Sequence, residues 1–481
     1  MKKILNFIGG KLQEPLAGNY IDNFNPSNGE VYSLIPDSTA QDVEMAVVAA
    51  ENAFQKWSIM PKEKRSAILI RISELIHSRL DEFALAETTD QGKPLWLSKS
   101  VDIPRAVSNF HFYATAILHT HTEAHAMDEH ALNYTLRKPL GVVACISPWN
   151  LPLYLFSLKV APALAAGCTV VAKPSEITPM TAFLLSEICN EAGMPEGVLN
   201  IVHGRGPEAG MAMVSHPKVA AVSFTGGTRT GEIISRTAAP MFKKLSLELG
   251  GKNPNIIFAD ADFDKAVHTS VRSSFSNQGE ICLCGSRIFI ERPIYEKFKK
   301  AFVEESSKLK TGDPLNADSW IGAIASLQHK EKIMSYIELA KKEGGNILLG
   351  GNEVNPGGKL SGGYYIEPTI IEGLAYDCRT NQEEIFGPVV TLTPFDTDEE
   401  VLQYANSTQY GLSATIWTQN LNRAHKVSAA LEAGIVWVNC WLVRDLRTPF
   451  GGMKGSGVGR EGGFEALNFF TEEKNVCIRI S

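Results

Sequence analysis

From residue 142 onward the chain alternates short apolar runs with stretches of helical spacing, and this texture narrows its possible folds more than any other feature. Runs at 142–146, 169–172, 198–202, 219–225 and 244–249 read as strands, and 155–166, 179–192 and 229–238 between them read as helices. Such alternation predicts an α/β fold with a parallel sheet covered by helices on both faces, and sheets of this kind bind dinucleotides at the carboxyl ends of their strands. A second alternating region follows, with strands at 287–290, 366–370 and 389–393 and helices at 294–309 and 330–343. Two more strands, 414–417 and 435–439, flank a helix at 421–432. Ahead of both regions, 7–35 is rich in Gly, Asn and Pro and reads as a small strand-rich segment. Helices are expected at 42–57, 62–80 and 104–118, with Pro61 just before the second, where helices favour it.

The 481 residues are enough for two or three lobes, and 44% hydrophobic with 21% charged residues is the composition of an ordinary soluble globular protein. With 46 basic and 53 acidic residues, net −7, there is no basic excess to hold a phosphate backbone, so nucleic acid is not an expected partner. The eight cysteines form no CxxC pair and no regular spacing, which fits a reducing compartment better than a disulfide framework. The N-terminal apolar run is interrupted by Asn6 and ends at Gly9, too short for a signal peptide, and a cytoplasmic location is expected. Residues 140–158 carry no charge, but Pro148, Asn150 and Pro152 sit near their centre. A buried strand and loop is therefore the reading, and no membrane span is expected. Five of the eleven histidines fall between His111 and His130 without a zinc spacing or accompanying cysteines, so that segment reads as an exposed ribbon and no metal is expected.

Chemistry concentrates in a few places. In Asn277-Gln278-Gly279-Glu280-Ile281-Cys282-Leu283-Cys284 a helix-like run ends at Gly279 and presents a cysteine on a turn, where it can meet a substrate. Two glycine-rich turns compete for phosphates. Gly204-Arg205-Gly206-Pro207-Glu208-Ala209-Gly210 is one residue off a GxGxxG pattern, whereas Phe224-Thr225-Gly226-Gly227 follows a strand and opens a helix, the better context. Lys173-Pro174-Ser175-Glu176 closes another strand. An acid there suits ribose hydroxyls and repels a 2′-phosphate, favouring NAD over NADP; a capping role for Glu176 is the plainer alternative. The glycine-rich stretch 449–461 reads as a functional loop.

Together these motifs resemble the aldehyde dehydrogenase family over nearly the whole chain and in the family's order. The resemblance implies a Rossmann-like NAD-binding domain (1–118 and 139–249), a catalytic domain (250–450) and a small oligomerisation element (119–138 and 466–481). In that element, ribbon and C-terminal tail pair across the subunits of a homodimer or homotetramer. By the same resemblance Cys282, rather than Cys284, is the nucleophile, Glu248 in Leu247-Glu248-Leu249-Gly250-Gly251-Lys252 the general base, and Asn150 in Pro148-Trp149-Asn150 the oxyanion donor. NAD would be held by Ile146, Pro148, Trp149, Lys173, Ser175, Glu176, Phe224, Thr225, Gly226, Gly227 and Leu249, with Glu384 and Phe386 of Glu384-Ile385-Phe386-Gly387-Pro388 on the nicotinamide ribose. Burial beside Leu247 and Leu249 would raise the pKa of Glu248. Two departures stand out. Glu280 replaces the usual glutamine and opposes thiolate formation unless it points away from Cys282, and Gly227 lacks the usual serine hydroxyl.

Residues 277–284 and 438–445 resemble most the branch acting on 2-aminomuconate and 2-hydroxymuconate semialdehydes. Those substrates carry a carboxylate remote from the aldehyde, which an arginine fork reads well. Arg105 and Arg444, on segments that line the substrate funnel by this resemblance, are the candidate clamp; the alternative for each is a surface ion pair with Asp102 or Asp445. Succinate semialdehyde also fits two arginines, whereas betaine aldehyde calls for an aromatic cage. From other classes, a thiol hydrolase could use Cys282 and Glu248 without NAD, and a non-catalytic homologue would need neither.

Overall fold

The computed structural model describes residues 1–480. Its first sheet has eight strands in the order Gly457–Val458, Lys244–Glu248, Val219–Thr225, Val142–Ile146, Thr169–Lys173, Leu199–Ile201, Asn6–Ile8, Lys11–Gln13. The five from Lys244–Glu248 to Leu199–Ile201 run parallel, and the outer strands close both edges antiparallel. Val142–Ile146 and Thr169–Lys173 are buried at every position, as strands covered on both faces must be. Register brings the carboxyl ends level: Ile146 pairs with Lys173 and with Phe224, and Thr225 with Glu248.

The second sheet has seven strands in the order Asn346–Leu349, Thr369–Glu372, Val389–Phe395, Arg287–Glu291, Pro254–Ile257, Ser413–Trp417, Ile435–Val438. All are parallel except the first. The uncharged stretch after residue 140 is the strand Val142–Ile146, a short loop and the deeply buried helix Pro152–Ala166, which stops at Gly167 in the left-handed conformation (φ +97°). Among the described residues no helix is long and apolar enough to cross a membrane.

Two expectations are corrected and one unexpected helix is added. The C-terminal strand Thr471–Arg479 pairs with the ribbon strand Ala131–Pro139 of the same chain, Thr471 opposite Pro139 and Arg479 opposite Ala131, with Ala124–Met127 on the other edge. The chain leaves the helix Gly463–Phe469 directly beside Pro139, so the nearest open edge is its own. The helix before the cysteine ends at Phe275 rather than Gly279, because Asn277 and Gln278 both take positive φ (+52° and +55°). An additional helix, Leu80–Gln91, precedes a π-helical turn, Ser98–Asp102, that leads into the helix Ile103–Ala116.

Candidate active site

Cys282 stands where two cavities meet. One, of about 510 Å³, is lined by Glu248, Arg105, Arg444, Tyr154, Leu249 and Cys282 among others. The second, of about 230 Å³, is lined by Pro148, Trp149, Asn150, Thr225, Gly226, Gly227, Leu249, Cys282, Glu384 and Phe386, together with His329 and Lys332. Cys284 is buried and turned away from both cavities. The turn carrying the cysteine is fixed from below by Asn253, whose Nδ2 donates to the carbonyls of Cys282 (2.7 Å) and Cys284 (2.9 Å). The Cys282 backbone N–H makes no hydrogen bond among the described residues, leaving it available to a developing oxyanion. The Asn150 amide donates to the carbonyl of Glu280 (2.9 Å), and its second N–H remains for a ligand.

Burial holds the Cys282 thiol well above its ordinary value, with the carboxyls of Glu384 and Glu248 adding to the effect. Glu248 is buried and neither carboxyl oxygen has a partner. Burial, then the neighbouring Glu461, raises its pKa well above the carboxylate range, against the pull of Lys159 and Arg444. Glu461 is itself bound to the buried Lys159 at 2.6 Å. A base with bare oxygens in an apolar wall can take a proton from a thiol or a water in the same cavity once it is ionised.

Glu280 points away from Cys282. Its carboxyl accepts from Gln91 Nε2 (2.5 Å) and from the Ala325 N–H (3.2 Å), and burial drives its pKa well up. The segment at 384–388 is locked to the cysteine turn by close backbone approach: a Cβ on Gly279, which has φ +72°, would lie 2.1 Å from the carbonyl oxygen of Gly387. Glu384 accepts from the Gly251 N–H at 2.8 Å. His329, which sequence reasoning missed, contacts Phe386 O through Nε2 (2.6 Å) and packs edge-on against Trp149, so it holds Phe386 in its left-handed conformation (φ +64°). A cue existed in its place near the N-terminus of the helix Leu327–Lys342, but a lone histidine there reads as surface.

The remaining expected cofactor residues lie outside these two cavities, side by side at the strand ends. Ser147 N–H donates to Lys173 O (3.1 Å), Lys173 Nζ binds Glu176 at 2.9 Å, and Glu176 also accepts from the Gly206 N–H (3.3 Å). Burial alone would raise Glu176, but Lys173 and these donors outweigh it and hold the carboxyl below its usual range. Ser175 Oγ caps its own turn by accepting from Ile177 N–H. Phe224 is buried under the turn, its ring against Gly226. Both glycine-rich turns thus border this corner. A dinucleotide fits it: Thr225 Oγ1 is buried without a partner, and Gly227, at the N-cap of the helix Thr228–Ala238, leaves open space where a phosphate can approach.

The expected ion-pair partners of the two arginines are engaged elsewhere. Asp102 binds Lys93, and Asp445 is held by Arg447 (2.6 Å), so neither arginine meets a carboxylate. Arg444 Nη1 donates to Tyr154 OH (2.5 Å), its guanidinium lies 4.0 Å over the ring of Phe450, and its buried Nη2 has no partner.

The aldehyde dehydrogenase family profile matches residues 14–476. The chain is 52% identical to a 2-aminomuconic semialdehyde dehydrogenase of Danio rerio, over 98% of each chain. It is 47% identical to a 2-hydroxymuconic semialdehyde dehydrogenase of Pseudomonas sp. (strain CF600), over the whole of both. The NAD+ complex of an aldehyde dehydrogenase from Bacillus cereus superposes with a TM-score of 0.97 at 38% identity, covering 100% of this chain and 97% of that one. A cysteine on a turn, a buried carboxyl and a glycine-rich corner assembled from two largely parallel sheets, with relatives matching from end to end, lead to one conclusion: the chain belongs to the aldehyde dehydrogenase family.

Proposed function

We propose that this enzyme carries out the NAD-dependent oxidation of a carboxylate-bearing semialdehyde, of the 2-aminomuconate or 2-hydroxymuconate kind, to the acid. The observation that carries this reading is a pair of arginines without carboxylate partners, Arg105 and Arg444, on the wall of the cavity that ends at Cys282 and Glu248. The names of the relatives at 52% and 47% identity support the same substrate class. A cationic substrate such as betaine aldehyde would meet two guanidinium groups in place of an aromatic cage.

In the mechanism, Glu248 takes the thiol proton and passes it to solvent before the hydrolytic step, and the Cys282 sulfur adds to the aldehyde carbon, forming a C–S bond and placing negative charge on the carbonyl oxygen. The Asn150 amide and the Cys282 N–H face that oxygen; a donor of this kind is worth about 3–4 kcal/mol in comparable sites. The nicotinamide, when bound, supplies the acceptor for the hydride of the substrate carbon. Thioester hydrolysis then needs a water that Glu248 deprotonates; the C–S bond breaks and the Cys282 thiolate leaves. The residues suited to the cofactor are Pro148, Trp149, Leu249, Glu384 and Phe386 at the nicotinamide side, the turn Phe224, Thr225, Gly226 and Gly227 at the phosphates, and Lys173, Glu176, Ile146 and Ser175 at the adenosine side.

We assign the first sheet to cofactor binding, the second to catalysis, and the three-stranded ribbon to assembly as a homodimer or homotetramer, in the cytoplasm. The test is NADH formation with 2-hydroxymuconate semialdehyde, succinate semialdehyde and betaine aldehyde compared by kcat/KM, alongside Cys282→Ala. Preference for the muconate compound, abolished by the substitution, is expected. Preference for either of the others discards the substrate reading, and absence of NADH with all three returns the thiol-hydrolase and non-catalytic readings.

A further inference from the structure

A buried ionic cluster of Lys93, Asp102 and Glu87 lies against the cavity wall, which Asp102 helps to line. Lys93 is fully buried. Its Nζ donates to Asp102 Oδ2 and to the backbone carbonyl of Asn150 (3.0 Å), and lies 3.6 Å from Glu87. Each of these contacts leads to a different element. Asp102 is the residue immediately before the helix Ile103–Ala116, which carries Arg105 in its first turn. Glu87 Oε2 accepts from the Leu153 N–H (3.2 Å) at the start of the helix Pro152–Ala166. Asn150 carries the amide aimed at the cysteine turn, and its carbonyl is gripped a second time by Asn277 Nδ2 (3.1 Å).

Burial of this cluster is costly unless the charges are matched. Burial raises both carboxyls, Glu87 up to about 8 and Asp102 in the same direction, in each case against the pull of Lys93. A hydrophobic pair would fill the same space without that cost. What it could not do is donate to a backbone carbonyl and an aspartate at once, which an ammonium with three N–H groups does. An amide aimed at an oxyanion acts only when its backbone is held in place, so the groups behind it govern its strength.

We propose that Lys93 is a positioning residue: its buried ammonium fixes the backbone of Asn150 and, through Asp102, the start of the Arg105 helix, holding the oxyanion donor and the carboxylate clamp in one register. This rests on the oxyanion role given to Asn150 above.

The test is a cycle in the full-length enzyme with three variants: Lys93→Met/Asp102→Asn, which removes one charge of each sign, Asn150→Ala, and the combination. Melting temperature, NAD affinity by calorimetry and the rate of Cys282 alkylation by iodoacetamide report the fold, the cofactor corner and the nucleophile independently of the oxyanion. Expected in the charge-neutral pair are NAD affinity and alkylation rate within twofold of the parent and kcat 10- to 100-fold lower. A fall of at least threefold is expected in the kcat/KM ratio of 2-hydroxymuconate semialdehyde to a neutral aldehyde. Adding Asn150→Ala then costs less than threefold more, because both act through one amide. A kcat within twofold of the parent, or losses that multiply, overturns the proposal. If the pair fails to fold, Lys93→Gln, too short to span both acceptors, enters the same cycle with the same two criteria. Should Asn150→Ala alone leave kcat unchanged, the oxyanion reading fails instead, and with it the basis of the inference.

Discussion

Replacing Arg444 by methionine should remove selectivity for carboxylated aldehydes, and the loss of its pull on Glu248 should slow turnover of all aldehydes alike, leaving the ratio between substrates as the readout of the clamp. Arg444 is half-buried, with its guanidinium on Phe450 and Nη1 on Tyr154 OH, and its buried Nη2 points to no protein acceptor. In the proposed clamp that unpartnered group takes the substrate carboxylate. A hydrogen bond to a charged partner contributes about 1.5–3 kcal/mol, which corresponds to about a 10- to 150-fold loss of kcat/KM for a carboxylated semialdehyde. A methionine keeps apolar contact with Phe450, so the melting temperature should hold, and Asp445 stays satisfied by Arg447. The assay is kcat/KM for 2-hydroxymuconate semialdehyde and for a neutral aldehyde of similar length, in Arg444→Met, Arg105→Met and both together. If both arginines bind one carboxylate, the double substitution loses less than the product of the single losses. A ratio between the two substrates that stays at the parental value in Arg444→Met would refute the clamp, as would an equal fall for both substrates.

Because burial and Glu461 raise Glu248, the base is protonated at low pH and turnover should climb as pH rises through its elevated pKa; Glu461→Gln removes the like charge and should move that climb to lower pH, read from kcat–pH profiles. Gly279→Ala should cost well over 100-fold in turnover and weaken NAD binding, since the new Cβ would fall 2.1 Å from Gly387 O and a left-handed alanine alone costs about 1–2 kcal/mol; activity and calorimetry on the soluble fraction check it. Gly227→Ser fits the open space at the helix N-cap, so stability should rise by about 0.5–1 kcal/mol in urea titrations. Its hydroxyl should also tighten NAD by about 2- to 10-fold, as one added hydrogen bond would.

Most strands of the two sheets were legible because buried parallel strands leave unbroken apolar runs, and the phosphate turn was legible because it sits between a strand and a helix; Pro254–Ile257, Asn346–Leu349 and Gly457–Val458 were not read, being only two to four residues long, the first opening on Pro-Asn. The helix Leu80–Gln91 was not, and the reason is physical. Its buried residues include Glu87, Thr88, Asp90 and Gln91, so no apolar stripe marks the face it turns inward. The inward polarity is matched by Lys93, Asn23 and Met180 N–H from elsewhere in the chain, partners that sequence spacing cannot announce. The direction of Glu280 was hidden for the same reason: its nearest donors, Gln91 and Ala325, lie 189 and 45 residues away. The helix before Cys282 stopped early because Asn277 and Gln278 adopt left-handed backbone, which asparagine tolerates and glutamine seldom signals. The tail was read as reaching a partner because its own ribbon, more than 330 residues away along the chain, gave no local sign of being adjacent.

The way the site is assembled also explains where specificity can vary. Glu248 ends a strand of the first sheet, Cys282 precedes a strand of the second, and Glu384 lies in the segment before another. These three are joined by backbone contacts that leave no room for change: Gly279 against Gly387, Gly251 N–H on Glu384, and Asn253 under the carbonyls of Cys282 and Cys284. A shift in one moves the others, so the geometry of thiol, base and cofactor is set once for any aldehyde. Arg105 and Arg444 stand apart from that frame, one on a helix and one in the loop before Phe450, touching it only through the cavity they share. Selection among aldehydes can therefore be altered at these two positions without loosening the bond-making groups. The exception is the route through Asp102, Lys93 and Asn150, where the proposed clamp and the proposed oxyanion donor share the single buried side chain of Lys93.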